Sequence, residues 1–578
     1  MPTKDKIEHI VVLMLENRSF DQMLGCMSAV YDGKNGRDRL DGVDPAARRF
    51  NVDDKGRRFF QTANARRQMT LDPHHEVEHV RTQLGDNDNS GFVLDFVGAY
   101  PDAPRQERQD VMSYYRLDTL PALHPLARNY TVCDHWFSSL PGPTWPNRFF
   151  ALSGTCLGRV DMPGDGTSGT DLPGFFAQTQ DTIFDRLNEK QINWKVYFHD
   201  IPQSWTMKQL RAPHNAARYF YIRRFYEDAR SHPENFPQFC LIEPDYMGFI
   251  QNDDHPPHDI MRGEKLVADV YNALRGNEAL WSSTLLVVFI DEHGGFYDHV
   301  APPCAVPPDA HVAHYPGRNG PNVFGFERLG LRVPAVLASP WVKAGVLDTQ
   351  FDHTSLLRYV TDKWRLGELD SERLKKAKSI GSALTQNSPR LVLDRIVLSA
   401  DQLKPAKQDM ENQAVETESD HQKALRKLTE FLPSALWETT KTTATEVAVE
   451  TAPRIFASFA RLTEFIKAPL AGFLDRLRGL CEHGMASLYE TGDHEVVISS
   501  PDKVDQKYTP ERNRVVRFLS TQKSRAIEGI TNRVEDPNRS KKEQAHAART
   551  LITLWGRPVS QARPEQVRHL LRDSKYAK

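Results

Sequence analysis

STLLVVFIDEH (283–293) decides the architecture. An unbroken apolar run, rich in branched side chains, stops abruptly at Asp291 and Glu292. Such a run reads as a strand buried on both faces, the pattern of a parallel sheet covered by helices. Four more segments share it: EHIVVLMLEN (8–17), WKVYFHD (194–200), PQFCLIEPD (237–245) and RVPAVLASP (332–340). Helical periodicity lies between them, as in GEKLVADVYNALRGNEAL (263–280). This alternation predicts an α/β fold with a mostly parallel central sheet and helices on both faces.

Each run ends in polar chemistry: Glu16-Asn17, His199-Asp200, Glu243, Asp291-Glu292 and Ser339. Ligands of open α/β sheets bind outside the carboxyl ends of parallel strands. Asn17 and Asp291, far apart in sequence, are therefore expected at one edge.

Composition narrows the class. The chain has 578 residues, 39% of them hydrophobic and 10% aromatic, which supplies a sizeable core and argues against disorder. A net charge of −2 does not favour nucleic-acid binding by bulk charge. No run approaches the roughly 18 apolar residues of a membrane span. MPTKDKIEHI lacks the apolar region of a secretory signal, so a cytoplasmic or peripheral-membrane location, or signal-independent export, is expected. Cys26, Cys133, Cys156, Cys240, Cys304 and Cys481 form no CxxC pair and are expected to be free, mostly buried thiols.

A boundary is expected near 390–410, separating a catalytic domain (1–400) from a mainly helical, basic region (401–578). Residues 401–450 are polar and charged, with helix-like pieces such as HQKALRKLTEFL. APRIFASFARLTEFIKAPLAGFLDRLRGL (452–480) carries the apolar and basic faces of an interfacial helix pair, or of helices packed on the first domain. The basic stretch beyond 501 suits anionic lipid or the acidic first domain.

The candidate chemistry lies in three clusters and a set of histidines. Glu16 and Asn17 offer hard oxygen ligands for a divalent cation, while Asp21 suits a bracing role. Asp291 and Glu292 complete such a site, and Gly294 and Gly295 permit close backbone approach. His293 and His299 are read as nitrogen ligands or structural groups. In LPGPTWPNR (140–148), Thr144 is a hydroxyl that a metal activates, with Pro146 in the first helical turn. Asn147 and Arg148 suit anionic oxygens. Histidines occur in Asp72-Pro73-His74-His75, in Asp253-Asp254-His255-Pro256-Pro257-His258-Asp259, and in Asp352-His353. They suit phosphate oxygens or a leaving alcohol. The two prolines between His255 and His258 exclude an HExxH helix.

Six segments, in order, carry a resemblance: HIVVLMLENRSFDQMLG, LPGPTWPNRFFALSGT, NDDHPPHDIMRGE, VVFIDEHGGFYDHVAPP, FGFERLGLRVPAVLASPW and FDHTSLLRYV. Over about residues 5–400 the chain resembles the phosphoesterase family of non-specific phospholipases C. That family includes bacterial phosphatidylcholine-hydrolysing enzymes, plant members and a bacterial acid phosphatase. The resemblance implies an alkaline phosphatase/sulfatase-like fold. It implies one divalent ion (Ca, Mg, Mn or Zn) held by Glu16, Asn17, Asp291 and Glu292. Thr144 falls at the nucleophile position. His75, His255 and His353 fall near the phosphate, with Asp254 and His258 behind them. Threonine cannot become the formylglycine of sulfatases, so sulfatase activity is not expected.

The implied reaction hydrolyses phosphatidylcholine or phosphatidylethanolamine, at a membrane surface, to diacylglycerol and a phosphorylated head group through phosphothreonine. The alternatives are an acid phosphatase-like phosphomonoesterase and a non-catalytic membrane-binding protein. The complete motif set argues against the second. No nucleic-acid partner is expected, and the sequence fixes no oligomeric state.

Overall fold

The apolar runs become the strands of one large sheet. In the computed structural model, residues 5–163, 172–247, 251–315, 322–404, 419–428 and 431 are described. The eight strands are β1 (His9–Leu15), β2 (Thr131–Cys133), β3 (Trp194–Phe198), β4 (Tyr219–Tyr221), β5 (Phe239–Glu243), β6 (Thr284–Ile290), β7 (Ala335–Ala338) and β8 (Gly345–Leu347). Their spatial order is β8-β2-β7-β6-β1-β5-β3-β4. At the centre, Val12 of β1 pairs with Leu241 of β5 on one side and Val287 of β6 on the other, both in parallel.

Every residue of β1 and β6 is buried. Successive side chains point to opposite faces, so both faces of the sheet are covered there. One cover is α3 (Ile260–Arg275), which Asp259 caps through the backbone N–H of Met261. A second apolar cluster, including Phe59, Val80, Phe92, Phe96, Phe296 and Leu331, packs α1 (Val77–Leu84) beside the turn that follows β6. That cluster anchors the segment carrying His74 and His75.

One strand departs from the reading. β7 runs antiparallel to both β6 and β2. Ser339 therefore leaves the sheet at the edge opposite Asn17 and Asp291, where its hydroxyl accepts from the N–H of Trp341. An apolar run specifies burial but not direction, and the long connection from β6 permits either sense. The other pairings within this eight-stranded sheet are parallel.

Cys26, Cys133, Cys156 and Cys240 are buried free thiols and Cys304 is an exposed one, as expected; Cys481 lies outside the described residues. Among the described residues no helix is long and apolar enough to cross a membrane. The amphipathic segment 452–480 and the basic stretch beyond 501 also lie outside them. The helix over 420–428 is described, and it packs into the first 400 residues.

Candidate active site

Leaving β1, the chain turns through Glu16 and Asn17, with Asn17 at φ 57°. Asparagine tolerates this left-handed conformation better than most residues. The turn is locked onto the end of β6: the N–H of Asn17 donates to Asp291 Oδ1 at 3.2 Å, and that of Arg18 donates to the Glu292 carbonyl at 3.0 Å. Two glycines allow this contact. Gly294 has φ +62°, and a Cβ there would fall on the Asn17 carbonyl. A Cβ on Gly295 would lie 2.7 Å from the His74 carbonyl oxygen. Gly294→Ala is therefore expected to destabilise the fold by about 2–3 kcal/mol and to displace Asn17. Thermal melting and turnover check this; an unchanged melting temperature contradicts it.

Thr144 opens α2 (Thr144–Ser153), with Pro146 in its first turn, where no backbone donor is needed. Thr144 is fully buried, and its hydroxyl donates to Asn17 Oδ1 at 3.2 Å. The next two polar residues of the motif are used differently from the expectation that they hold anionic oxygens. Asn147 accepts from the N–H of Leu140 at 3.1 Å and donates to the Gly142 carbonyl at 2.9 Å, bracing the loop before Thr144. Arg148 donates to Asp291 Oδ2 and Tyr246 Oη, at 2.8 and 2.7 Å. A second arm lies 2.8 Å from Glu16 Oε1. In this geometry the guanidinium is committed to the site's own carboxylates.

Glu16, Asp291 and Glu292 are all buried, and the first two share that one guanidinium. Burial pushes the Asp291 carboxyl up to about 8, against Arg148 and with help from the neighbouring Glu16 and Glu292. Glu292 Oε1 has no hydrogen-bond donor, and Glu16 Oε1 meets Arg148 without hydrogen-bond geometry. Excess buried negative charge, hard oxygens and unpaired carboxylate atoms beside a hydroxyl form a donor set that fits a divalent cation. Glu16, Asn17, Asp291 and Glu292 would hold it.

Of the expected histidines, His75 and His255 come together. His75 Nδ1 donates to the Pro73 carbonyl at 2.9 Å, and its Nε2 lies 3.0 Å from the Asn17 amide nitrogen and 3.9 Å from Glu292 Oε1. The two imidazole centroids are 5.8 Å apart. Burial lowers both pKa values, but carboxylates outweigh it. Glu292 and Asp420 hold His75 well above the usual imidazole range, and Asp72 and Asp420 bring His255 up to about 10.

His353 is not brought into this pair. Its Nε2 donates to the Asp291 carbonyl at 2.6 Å, and its Nδ1 accepts from Trp136 Nε1 at 3.1 Å. Burial pushes it down to about 4. With both nitrogens committed and the ring neutral, this geometry supports Asp291 from behind and leaves no proton for a leaving group. His258 donates to Asp253 Oδ1 at 2.6 Å. The Asp254 carboxyl packs against Gly263, and its carbonyl accepts from Arg18 Nε at 2.8 Å. His293 Nε2 contacts Gln83 Oε1 at 2.8 Å and its Nδ1 lies 3.3 Å from Glu292 Oε2, so it serves the turn.

Below the site a second ionic group ties the two motif turns together. Arg332 donates to Asp298 Oδ1 at 2.9 Å and Asp21 Oδ1 at 3.1 Å, while His299 Nδ1 lies 2.9 Å from both Asp21 oxygens. Against burial, Asp21 and Asp41 raise His299 to about 9. A histidine with a raised folded-state pKa stabilises fully below its unfolded pKa near 6.5 and loses that contribution as pH climbs through about 9. Stability is expected to fall over this window by up to about 3 kcal/mol, and His299→Gln to flatten the slope. Urea unfolding at several pH values measures it; an equal slope in the variant contradicts the assignment.

The sequence reading did not single out Tyr246, Asp420 or His421. Asp420 lies 3.1 Å from His75 Nε2 and 3.0 Å from His255 Nε2, and His421 Nδ1 lies 2.6 Å from Glu16 Oε2. A signal was present: Ser419 precedes Asp420-His421-Gln422 and an apolar Ala424/Leu425/Leu428 stripe, the mark of a capped, docked helix.

The site thus sets a hydroxyl at a helix start, bonded to Asn17, among buried carboxylates at the ends of parallel strands. The chain belongs to the Phosphoesterase family, whose profile matches residues 7–367. It is 34% identical to non-specific phospholipase C6 of Arabidopsis thaliana, over 61% of this chain and 66% of that one. It is 33% identical to non-specific phospholipase C1 of the same plant, over 61% and 65%. The alignments thus span just under two thirds of those two relatives. Phospholipase C A of Mycobacterium tuberculosis (strain ATCC 25618 / H37Rv) is 30% identical, over 61% of this chain and 72% of that one. Among solved structures, an alkaline phosphatase superfamily protein from Vibrio parahaemolyticus matches with 11% identity and TM-score 0.27, covering 55% of this chain and 82% of that one.

Proposed function

We propose that this chain is a phospholipase C that cleaves glycerophospholipids through a covalent intermediate on Thr144. The observation that carries the reading is the buried Thr144 hydroxyl, bonded to Asn17 beside Glu16, Asp291 and Glu292, in a chain whose relatives bear the name phospholipase C. A divalent ion, when bound, acidifies the nucleophile and neutralises phosphoryl charge.

The chain's own residues do the rest. Asn17 fixes the Thr144 side chain so that Oγ1 attacks phosphorus opposite the glycerol oxygen. The Oγ1–P bond forms as the Thr144 hydroxyl gives its proton to solvent water, and the P–O bond to glycerol breaks. An imidazolium, His75 or His255, gives its Nε2 proton to the departing diacylglycerol. Water then attacks the same phosphorus, the imidazole takes its proton, the P–Oγ1 bond breaks, and Thr144 regains a hydroxyl proton from solvent as the phosphorylated head group leaves. Arg148 keeps Glu16 and Asp291 fixed during both steps, and His353 supports the Asp291 backbone.

Mixed phosphatidylcholine/phosphatidylethanolamine vesicles, with p-nitrophenyl phosphate as a second substrate, test the substrate class. Diacylglycerol with phosphocholine or phosphoethanolamine supports the proposal. Free phosphate from the monoester without diacylglycerol replaces it with a phosphomonoesterase.

A further inference from the structure

The working nitrogens of both site histidines are spent on one carboxylate. His75 Nδ1 is fixed on the Pro73 carbonyl and His255 Nδ1 on that of Pro256, at 2.9 and 2.5 Å. Each ring is left with Nε2, which in His75 also faces the Asn17 amide nitrogen at 3.0 Å. Asp420 takes both: Oδ2 lies 3.1 Å from His75 Nε2 and Oδ1 lies 3.0 Å from His255 Nε2. One carboxylate thus bridges the Nε2 atoms of two imidazole rings with its two oxygens, the fork that two non-bridging oxygens of a phosphodiester present. Both groups carry a single negative charge.

The segment bearing Asp420 is built to stay there. Ser419 and Gln422 cap its helix reciprocally, each side chain bonded to the other's backbone at 3.1 Å. Next to Asp420, His421 Nδ1 reaches Glu16 Oε2 at 2.6 Å and its ring packs against Tyr246. Gln422 donates to the Tyr246 carbonyl at 2.8 Å. Ala424, Leu425 and Leu428 are fully buried. Asp420 itself keeps 13% of its side chain exposed, so it sits at the mouth of the anion seat.

We infer that Asp420 is an internal substitute for the phosphoryl group, and that helix 420–428 holds the site closed until it withdraws. The inference rests on the proposed roles of His75 and His255. Substrate and Asp420 compete for the same two protons. A protein held mostly closed binds its ligand weakly in proportion to the open fraction.

The test uses the full chain and two variants. Asp420→Asn removes the charge that bridges the imidazoliums. Leu425→Ala loosens the helix without touching the site. Inorganic phosphate binding is followed by titration calorimetry, and p-nitrophenylphosphorylcholine hydrolysis by absorbance. Both variants are expected to bind phosphate about tenfold more tightly or better and to show a lower KM. Phosphate binding unchanged or weakened in both variants, with kcat reduced, overturns the inference and makes Asp420 a working part of the site. Tighter phosphate binding with no phosphodiester hydrolysis in any form leaves the inference standing and removes the phospholipase reading instead.

Discussion

Thr144→Ala is expected to lower phosphatidylcholine turnover on the order of 10⁴-fold or more, the scale seen when a covalent nucleophile is removed. The loss should fall on kcat. Thr144 is fully buried at the first position of its helix, and alanine suits a helix start without new bulk. Folding should be little changed, because the hydroxyl makes one hydrogen bond, to Asn17 Oδ1. Thr144→Ser should retain activity, since it keeps an oxygen at the same bond count from the backbone. Steady-state kinetics on vesicles decide the matter; near-wild-type kcat in Thr144→Ala contradicts the mechanism.

The largest stability effect is expected at Arg148. It is fully buried and holds Asp291 and Glu16, which are also fully buried. Arg148→Met fills much of the volume but leaves those carboxylates without their cation. Breaking one partner out of a buried ion pair costs about 3–5 kcal/mol, more than the pair's own net contribution. Urea unfolding in metal-free buffer should show this loss. Saturating divalent cation should restore part of it, because a cation then replaces the missing positive charge. A variant as stable as the parent without metal would mean that the carboxylates are protonated and need no partner.

Much of this site was legible because strand ends are legible. The runs before Glu16 and Asp291 have no polar interruption, so burial on both faces, parallel pairing and convergence of Asn17 with Asp291 follow from pattern alone. The glycines after Glu292 likewise announced a close approach, which proves to be against Asn17 and His74. Direction was not legible for β7: an apolar run reads the same both ways, and Ser339 therefore went to the wrong edge. Partner choice was not legible for Arg148 or His353. Residue type says that each can bind an anion or carry a proton, but only packing shows Arg148 against Asp291 and both nitrogens of His353 in use. Asp420 was hidden for another reason. It lies past the expected boundary in a polar stretch, and nothing local ties it to histidines 345 and 165 positions earlier.

The central claim is the covalent step on Thr144. Partitioning between water and added methanol tests it most directly. Phosphatidylcholine and p-nitrophenylphosphorylcholine have different leaving groups but would deposit the same phosphorylcholine on Thr144. The ratio of methyl phosphorylcholine to phosphorylcholine should then be identical from both substrates. A ratio that changes with the leaving group would show that water attacks the bound substrate directly, and Thr144 would not be the nucleophile.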